Sequence, residues 1–146
     1  MNQFKKALLF SLVLMGITSL TGCKEGPTPE ELAQSALLKT LAGSWEIGSA
    51  QVDNLVVTNA FPGLIVNFQS KNTITVSGAV GNIWPSSSTF ELVKVLDGYD
   101  LKRSDGVVLD IVSATQDELK ISMTFSSAPG SRVSSVPGLY TFTFNR

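Results

Sequence analysis

From Ser44 onward, apolar residues recur at every second position in short stretches that are separated by turn-forming residues. One such set is Leu119, Ile121, Met123 and Phe125. In an extended strand, residues two apart point to the same face of a sheet. The pattern therefore predicts strands with one buried and one solvated face, which is typical of an all-β fold.

Eight stretches follow this pattern. We predict strands at about 44–52, 64–70, 73–78, 88–95, 99–103, 107–113, 118–126 and 139–145. Several connections are short, such as "SKN", "LDG" and "SDG", which is typical of consecutive antiparallel hairpins. Such a meander forms either a sandwich or a closed barrel. Because closure removes exposed strand edges, we favour an eight-stranded antiparallel up-and-down barrel.

A barrel of eight strands can just be filled by side chains or can leave space for one small ligand, and the sequence leaves both alternatives open. The stretch 88–95 alternates poorly, because Val93 and Val95 fall on the face opposite to Phe90 and Leu92. We therefore predict a β-bulge in this strand.

A short helix is expected before the first strand. Thr28, Pro29 and Glu31 match a capping box with proline at the first helical position. An apolar stripe follows, with Leu38 beside it, at Ala33, Leu37 and Leu41. Gly43 is expected to end the helix, which would cover one end of the barrel.

The N-terminal residues 1–22 have the layout of an export signal. Lys5 and Lys6 precede an apolar core, "ALLFSLVLMGI", that is followed by small and polar residues. This core is shorter than the roughly 20 residues that a membrane-spanning helix needs. The only cysteine, Cys23, follows directly, and a lone thiol here could be a catalyst, a metal ligand, a disulfide partner or an attachment point.

The four residues Leu20, Thr21, Gly22 and Cys23 resemble the lipobox of bacterial lipoproteins. The resemblance implies cleavage before Cys23, acylation of its sulfur and amine, and anchoring to a membrane by two or more acyl chains, which hold stably where one does not. In the familiar sorting pattern an aspartate after the cysteine favours the inner membrane. Lys24 at this position therefore implies an outer-membrane lipoprotein that faces the periplasm or the cell surface.

Cleavage at this position would leave 124 residues (146 minus 22), which suits one domain at 28–146 preceded by a tether at 23–27. Without Lys5 and Lys6, this mature chain has 9 basic and 12 acidic residues and a net charge of about −3. That balance provides no basic patch for nucleic acid. It also predicts that membrane contact comes from the acyl chains rather than from the folded surface.

The stretch "LAGSWEI" resembles the glycine-any-tryptophan signature at the first strand of lipocalins, with Gly43 and Trp45 in the signature positions. Lipocalins commonly place a basic residue late in the last strand, stacked on this tryptophan, and the chain ends in Arg146. The resemblance implies that Trp45 and Arg146 close one end of a lipocalin-like barrel. The mature chain is also similar to small lipocalin-like lipoproteins of Bacteroidota, a group largely without assigned function.

Catalytic chemistry finds little support in the residue types. The chain has no histidine, and acylation would block Cys23, so the usual bases, nucleophile pairs and zinc ligands are missing. The aspartates and glutamates are scattered over turns and outer strand faces, and no loop has calcium-binding spacing. We expect no metal, no cofactor and no enzymatic activity.

Apolar residues in three long connections are the candidate ligand or partner rim, provided that the connections gather at one mouth of the barrel. The principal candidates are Phe61, Ile83, Trp84, Val133 and Val136, and the same connections also carry Leu55, Val56, Val57, Pro62 and Pro85. For Trp84, packing across the barrel end is the favoured alternative.

Two functions follow from this organisation. The first is binding of a small apolar or amphipathic ligand in or at the mouth of the barrel, and the alternative is an interaction module or inhibitor with a filled barrel that holds another envelope protein through its loops.

Overall fold

A computed structural model of the protein describes residues 26–78, 83–126 and 136–146. The predictions for Cys23 and Val133 lie outside these residues. Within them the chain forms helix α1 and nine strands: α1 Pro29–Leu41, β1 Gly43–Val52, β2 Leu55–Val56, β3 Ile65–Gln69, β4 Thr73–Ser77, β5 Ser87–Val95, β6 Gly98–Arg103, β7 Val108–Ala114, β8 Glu118–Phe125 and β9 Gly138–Asn145. A short 3₁₀ helix, Thr58–Ala60, follows β2.

The strands form a closed antiparallel barrel. Neighbours pair in the order β1, β3, β4, β5, β6, β7, β8, β9, and β9 pairs back with β1 over Glu46–Val52. The two-residue strand β2 is a small addition that folds back on the end of β1. The structure therefore confirms the predicted eight-stranded barrel with one short N-terminal helix, and it rules out the sandwich.

The alternation of the chain places the predicted strands within one or two residues of the observed ones, but it misplaces the irregularities. Strand β5 pairs with β6 in unbroken register, so the predicted bulge is wrong, and Val93 and Val95 lie on the outer face. Register shifts occur instead between Ile47 and Ser49 in β1 and between Ile111 and Ser113 in β7. Each shift exchanges the inward-facing and outward-facing positions along its strand.

Helix α1 begins with the predicted capping box. The Thr28 hydroxyl accepts a hydrogen bond from the Glu31 N–H at 3.2 Å, and the Glu31 carboxylate accepts one from the Thr28 N–H at 2.7 Å. The apolar stripe is buried only at its end, because Leu41 lies in the core and Leu37 is half-buried, whereas Ala33 is exposed. The first half of the stripe prediction is therefore wrong, and only the last turns of α1 pack on the barrel.

The barrel has two distinct ends because every strand runs antiparallel to its neighbours. The helix end contains α1, the β3–β4, β5–β6 and β7–β8 turns, and the C-terminal residue. The loop end contains residues 53–64, the β6–β7 turn, and the ends of β4, β5, β8 and β9 that lead into the other two long connections. No helix in the described residues is long and apolar enough to cross a membrane.

Candidate functional site

Trp45 and Arg146 meet at the helix end of the barrel. The Arg146 guanidinium carbon lies 4.4 Å from the centroid of the Trp45 ring, which is a cation–π distance. Trp45 is fully buried at the start of β1, and its indole N–H donates a hydrogen bond of 2.8 Å to the Leu41 carbonyl. The first strand and the last residue of the chain are thus joined around one indole ring.

Arg146 also completes the end of helix α1. Its Nη2 donates hydrogen bonds to the carbonyl oxygens of Thr40, at 2.8 Å, and Ala42, at 2.5 Å. The last carbonyls of a helix have no partner within the helix, and a cation there also interacts favourably with the helix dipole. Arg146 therefore stabilises the barrel closure and the helix C-terminus together, which makes this end a structural site.

The opposite, loop end is plugged rather than open. Phe61, Ile83 and Trp84, which the sequence predicted as members of an exposed rim, are at most 2% exposed and belong to the core. The three long connections do start and finish at this end of the barrel. Phe61, Ile83 and Trp84 turn inward because burying them removes more apolar surface from water than a rim would. The alternative of packing across the barrel end is the observed one for Trp84.

We call Phe61, Ile83 and Trp84 the plug, and aromatic rings fill the barrel below it. Phe142 lies at the centre, with ring centroids 5.0 Å from Phe61, 5.4 Å from Trp84 and 6.0 Å from Phe144. The two contacts to the plug residues are edge-to-face, which is a favourable geometry for aromatic pairs. The rings leave the interior occupied by side chains along this part of the barrel.

Arg103 is a buried cation that ties the plug to the barrel wall. Its guanidinium donates a hydrogen bond of 2.6 Å to the Ile83 carbonyl and lies 5.9 Å from the Trp84 ring centroid. It also forms a two-pronged ion pair with Asp105, in which Nε donates to Oδ1 at 3.1 Å. The Trp84 indole N–H is buried and has no hydrogen-bond partner in the part of the chain that the structure describes.

The pairing with Arg103 changes the acidity of Asp105. Partial burial alone would raise the pKa of this carboxyl, but the hydrogen bonds and positive charge of Arg103, with a bond from the Val107 N–H, outweigh it and lower the pKa below its ordinary value. The sequence reasoning missed Arg103. The available signal was its position two residues after Leu101, which places both side chains on the inner face of β6.

A different set of apolar residues is exposed at the loop end. We call Leu55, Val56, Val136 and Leu139 the exposed rim; their exposure ranges from 50% to 73%. Leu139 and Leu55 flank the end of β1: Asp53 bonds to the backbone of Leu139 through both its N–H and its carboxylate, each at 2.9 Å, and Leu55 pairs with Val52. Of the principal rim candidates described, Val136 is on this surface, together with Leu55 and Val56 from the first connection.

A cleft adjoins the exposed rim where β7 and β8 separate. The pairing of these strands ends at Asp110 and Ser122, so the first residues of β7 and the last residues of β8 diverge towards the loop end. The resulting cleft has a volume of about 600 Å³. Its apolar lining comes from Val107, Val108, Met123, Phe125 and Leu139. This loop-end cleft and the exposed rim share Leu139 and therefore form one continuous surface.

Two acidic residues lie side by side on the outer face of the sheet. Asp100 and Asp110 are direct partners across β6 and β7, and the Ser122 hydroxyl donates a hydrogen bond of 3.0 Å to Asp110. Partial burial and then the neighbouring charge of Asp110 raise the pKa of Asp100. Among the described residues, no group of three or more histidine, cysteine, aspartate or glutamate side chains is arranged to hold a metal ion.

Comparison with protein-family models, with curated proteins and with solved structures finds no match to this chain. The geometry of the two barrel ends therefore provides the evidence on function.

Proposed function

We propose that this protein is a lipid-anchored, non-catalytic interaction module of the bacterial envelope that holds another envelope protein at the loop end of its barrel. Acyl chains on Cys23 would attach it to the outer membrane. The observation that carries the proposal is the filled interior, in which Phe61 and Trp84 occupy the entrance where a lipocalin-type ligand would enter.

The exposed rim supports the choice of a protein partner. Large apolar side chains that cluster on a surface commonly mark interaction sites. Leu55 and Val136 are 69% and 63% exposed, whereas Phe61, Ile83 and Trp84 at the same end of the barrel are at most 2% exposed. The rim is also built on fixed backbone, since Asp53 and the Tyr140 hydroxyl, which donates 2.7 Å to the Val136 carbonyl, hold its members in place.

A second candidate function is binding of a small apolar or amphipathic molecule in the loop-end cleft. The cleft volume of about 600 Å³ is within the range of small-molecule sites. Its lining combines apolar residues with Asp105 and Ser122, so it suits an amphipathic ligand better than a purely apolar one. This candidate keeps the ligand at the mouth and needs no space inside the barrel.

The anchor is tested by replacing Cys23 with serine. Without the thiol no acyl chain can be attached, so we expect Cys23→Ser to move the protein from the membrane fraction to the soluble fraction. A Lys24→Ala variant, which keeps the thiol, is the control and should remain with the membranes. Unchanged sedimentation of Cys23→Ser would contradict the anchor.

Site-specific photo-crosslinking in the native host tests the interaction surface. A photoreactive amino acid is placed at Leu55 or Val136 on the rim, and at Val112, which is 51% exposed on the outer face of β7, as the matched control. We expect one discrete crosslinked protein from the rim positions and none from Val112. Equal crosslinking at all three positions would contradict the proposal.

Native mass spectrometry of the mature domain purified from the same host separates the two candidates. A bare protein mass together with rim crosslinks supports the partner function. A stoichiometric small molecule that is lost in a Val108→Asp variant, which places a charge in the cleft, supports the small-ligand function instead.

A further inference from the structure

The β5–β6 hairpin presents the most exposed large apolar side chain of the described residues. Leu96 is 98% exposed at the tip of this hairpin, and Val95 beside it is 38% exposed. The tip belongs to the helix end of the barrel, opposite the exposed rim. Neither the barrel core nor helix α1 covers it.

Contacts with Glu30 hold this tip beside the start of helix α1. Lys94 and Tyr99 are direct partners across β5 and β6, two residues or fewer from the turn. The Lys94 ammonium lies 3.3 Å from the Glu30 carboxylate, and the Tyr99 hydroxyl lies 3.5 Å from the Glu30 carbonyl. Glu30 is in the first turn of α1, two residues after the N-cap Thr28.

The chain that precedes Thr28 is short. Thr28 lies five positions after Cys23, with four residues between them, and five residue steps span at most about 17 Å when fully extended. A lipid anchor on Cys23 therefore confines the start of α1, and with it the hairpin tip, to the neighbourhood of the bilayer surface. The rim is separated from the tip by the length of the barrel, since an eight-residue strand such as β9 is about 26 Å long.

We propose that the β5–β6 tip, with Leu96 as its leading side chain, rests in the interfacial region of the bilayer to which Cys23 is anchored. This inference rests on the anchor in the proposed function, and it adds a contact between the folded domain and the lipid. The contact is made by Leu96 rather than by positive charge, because Lys94 is paired with Glu30 and the neighbouring Asp97 is acidic and stays in the aqueous headgroup layer. It therefore does not require anionic lipid.

The tip and the anchor act together. One leucine side chain buries too little surface to hold a protein on a membrane, but the tether keeps its local concentration at the bilayer high. The contact then orients the barrel with its helix end on the membrane and the exposed rim directed outward. A protein partner could reach the rim in this orientation without displacing the domain from the lipid.

Fluorescence quenching in vesicles tests this contact. The full lipidated protein is prepared with Leu96→Cys, where the introduced thiol is the only free one because Cys23 is acylated, and is labelled with an environment-sensitive fluorophore. It is reconstituted into phosphatidylcholine vesicles that contain a nitroxide-labelled lipid. The matched control carries Leu55→Cys, also an exposed leucine, at the loop end.

We expect the label at position 96 to lose most of its fluorescence to the lipid nitroxide and the label at position 55 to be unaffected. Equal, weak quenching of both labels in protein that sediments with the vesicles would overturn the tip contact and leave the anchor standing. Protein that does not sediment with the vesicles at all would overturn both. A Leu96→Asp variant labelled at Thr73→Cys, in the β3–β4 turn region of the same end, should show less quenching than the same label with Leu96 present.

Discussion

Arg103 is a charged side chain inside an otherwise apolar barrel, and Asp105 makes its burial tolerable. The guanidinium uses its rigid fork of donors for the Asp105 carboxylate and the Ile83 carbonyl, while its face lies near the Trp84 ring. A buried cation without such partners would be strongly destabilising. The ion pair therefore allows Arg103, in strand β6 of the barrel, to contact both Ile83 and Trp84 of the plug.

Replacing Asp105 with asparagine should lower the free energy of unfolding at pH 7 by about 1 to 2 kcal/mol, because Arg103 loses its counter-charge. The effect is smaller than for a fully buried pair, since the Asp105 side chain is 40% exposed and screened by water. Chemical denaturation of both proteins measures it. Asp97→Asn, at an exposed turn aspartate, is the matched control and should change stability by less than about 0.5 kcal/mol.

The same substitution predicts a pH dependence. The folded-state pKa of Asp105 is lowered, so its contribution is present above the ordinary carboxyl pKa of 3.8 and is lost as the pH falls through the folded value. The stability difference between the wild type and Asp105→Asn should therefore be largest near neutral pH and should shrink below about pH 4. The raised pKa of Asp100 has the opposite effect on the pH dependence of stability. Because Asp100 is present in both proteins, its contribution cancels in their stability difference. A difference that grows on acidification would contradict the pairing.

Trp45 connects three parts of the helix end through one side chain. Its truncation to alanine removes a fully buried indole, the bond to the Leu41 carbonyl and the surface on which Arg146 stacks. We expect a loss of about 3 to 5 kcal/mol in the free energy of unfolding, measured by denaturant titration. Leu55→Ala, at an exposed position, serves as the control. A loss below about 0.5 kcal/mol for Trp45→Ala would contradict its role in closing the barrel.

At the level of elements, the apolar packing of helix α1 on the barrel comes from its last turns, whereas its first turn contacts β5 and β6 through the polar groups of Glu30. Leu41→Ala should therefore cost about 2 to 5 kcal/mol, because it leaves a cavity at the helix end. Leu32→Ala, on the exposed first half of the helix, should change stability by less than about 0.5 kcal/mol. Thermal or chemical unfolding of the two variants gives the comparison, and equal costs would show that the whole helix packs on the core.

The strands could be predicted from the sequence because period two is a local property of each stretch. Bulges are different, since they depend on how two strands share residues across the sheet. The shift beside Gly48 does leave a mark, because the inward apolar positions change from Trp45 and Ile47 to Ala50 and Val52. The shift beside Val112 left no clear mark, and the pattern at 93–95 suggested a bulge that is absent. An outward-facing valine and a bulged one look alike in a single sequence.

The candidate site was less predictable than the fold for a related reason. Long connections carry apolar residues whether they form a surface or enter the core, and Phe61, Ile83 and Trp84 enter the core. Leu55 and Val136 have similar character and remain outside. The choice is made by the space available at the end of the barrel, which is a property of all eight strands together and of no single stretch.

For the whole molecule, the decisive property is that side chains occupy the interior, and removing one central ring tests it. Phe142 contacts Phe61, Trp84 and Phe144, so Phe142→Ala should open a dry apolar cavity and cost about 3 to 5 kcal/mol. The variant should bind benzene or indole, seen as ligand-dependent shifts of core methyl resonances, whereas the wild type should not. Phe142→Leu provides a milder version that retains more stability and should bind less.

Binding of these probes by the wild-type interior would contradict the filled barrel. It would also favour the first of the two functions, in which the barrel holds a small ligand in its interior. Absence of binding in the wild type, together with binding in Phe142→Ala, would mean that this architecture can enclose a small molecule but that this sequence uses the space for packing. The exposed rim and the cleft between β7 and β8 would then be the surfaces left for the proposed recognition of a partner or ligand.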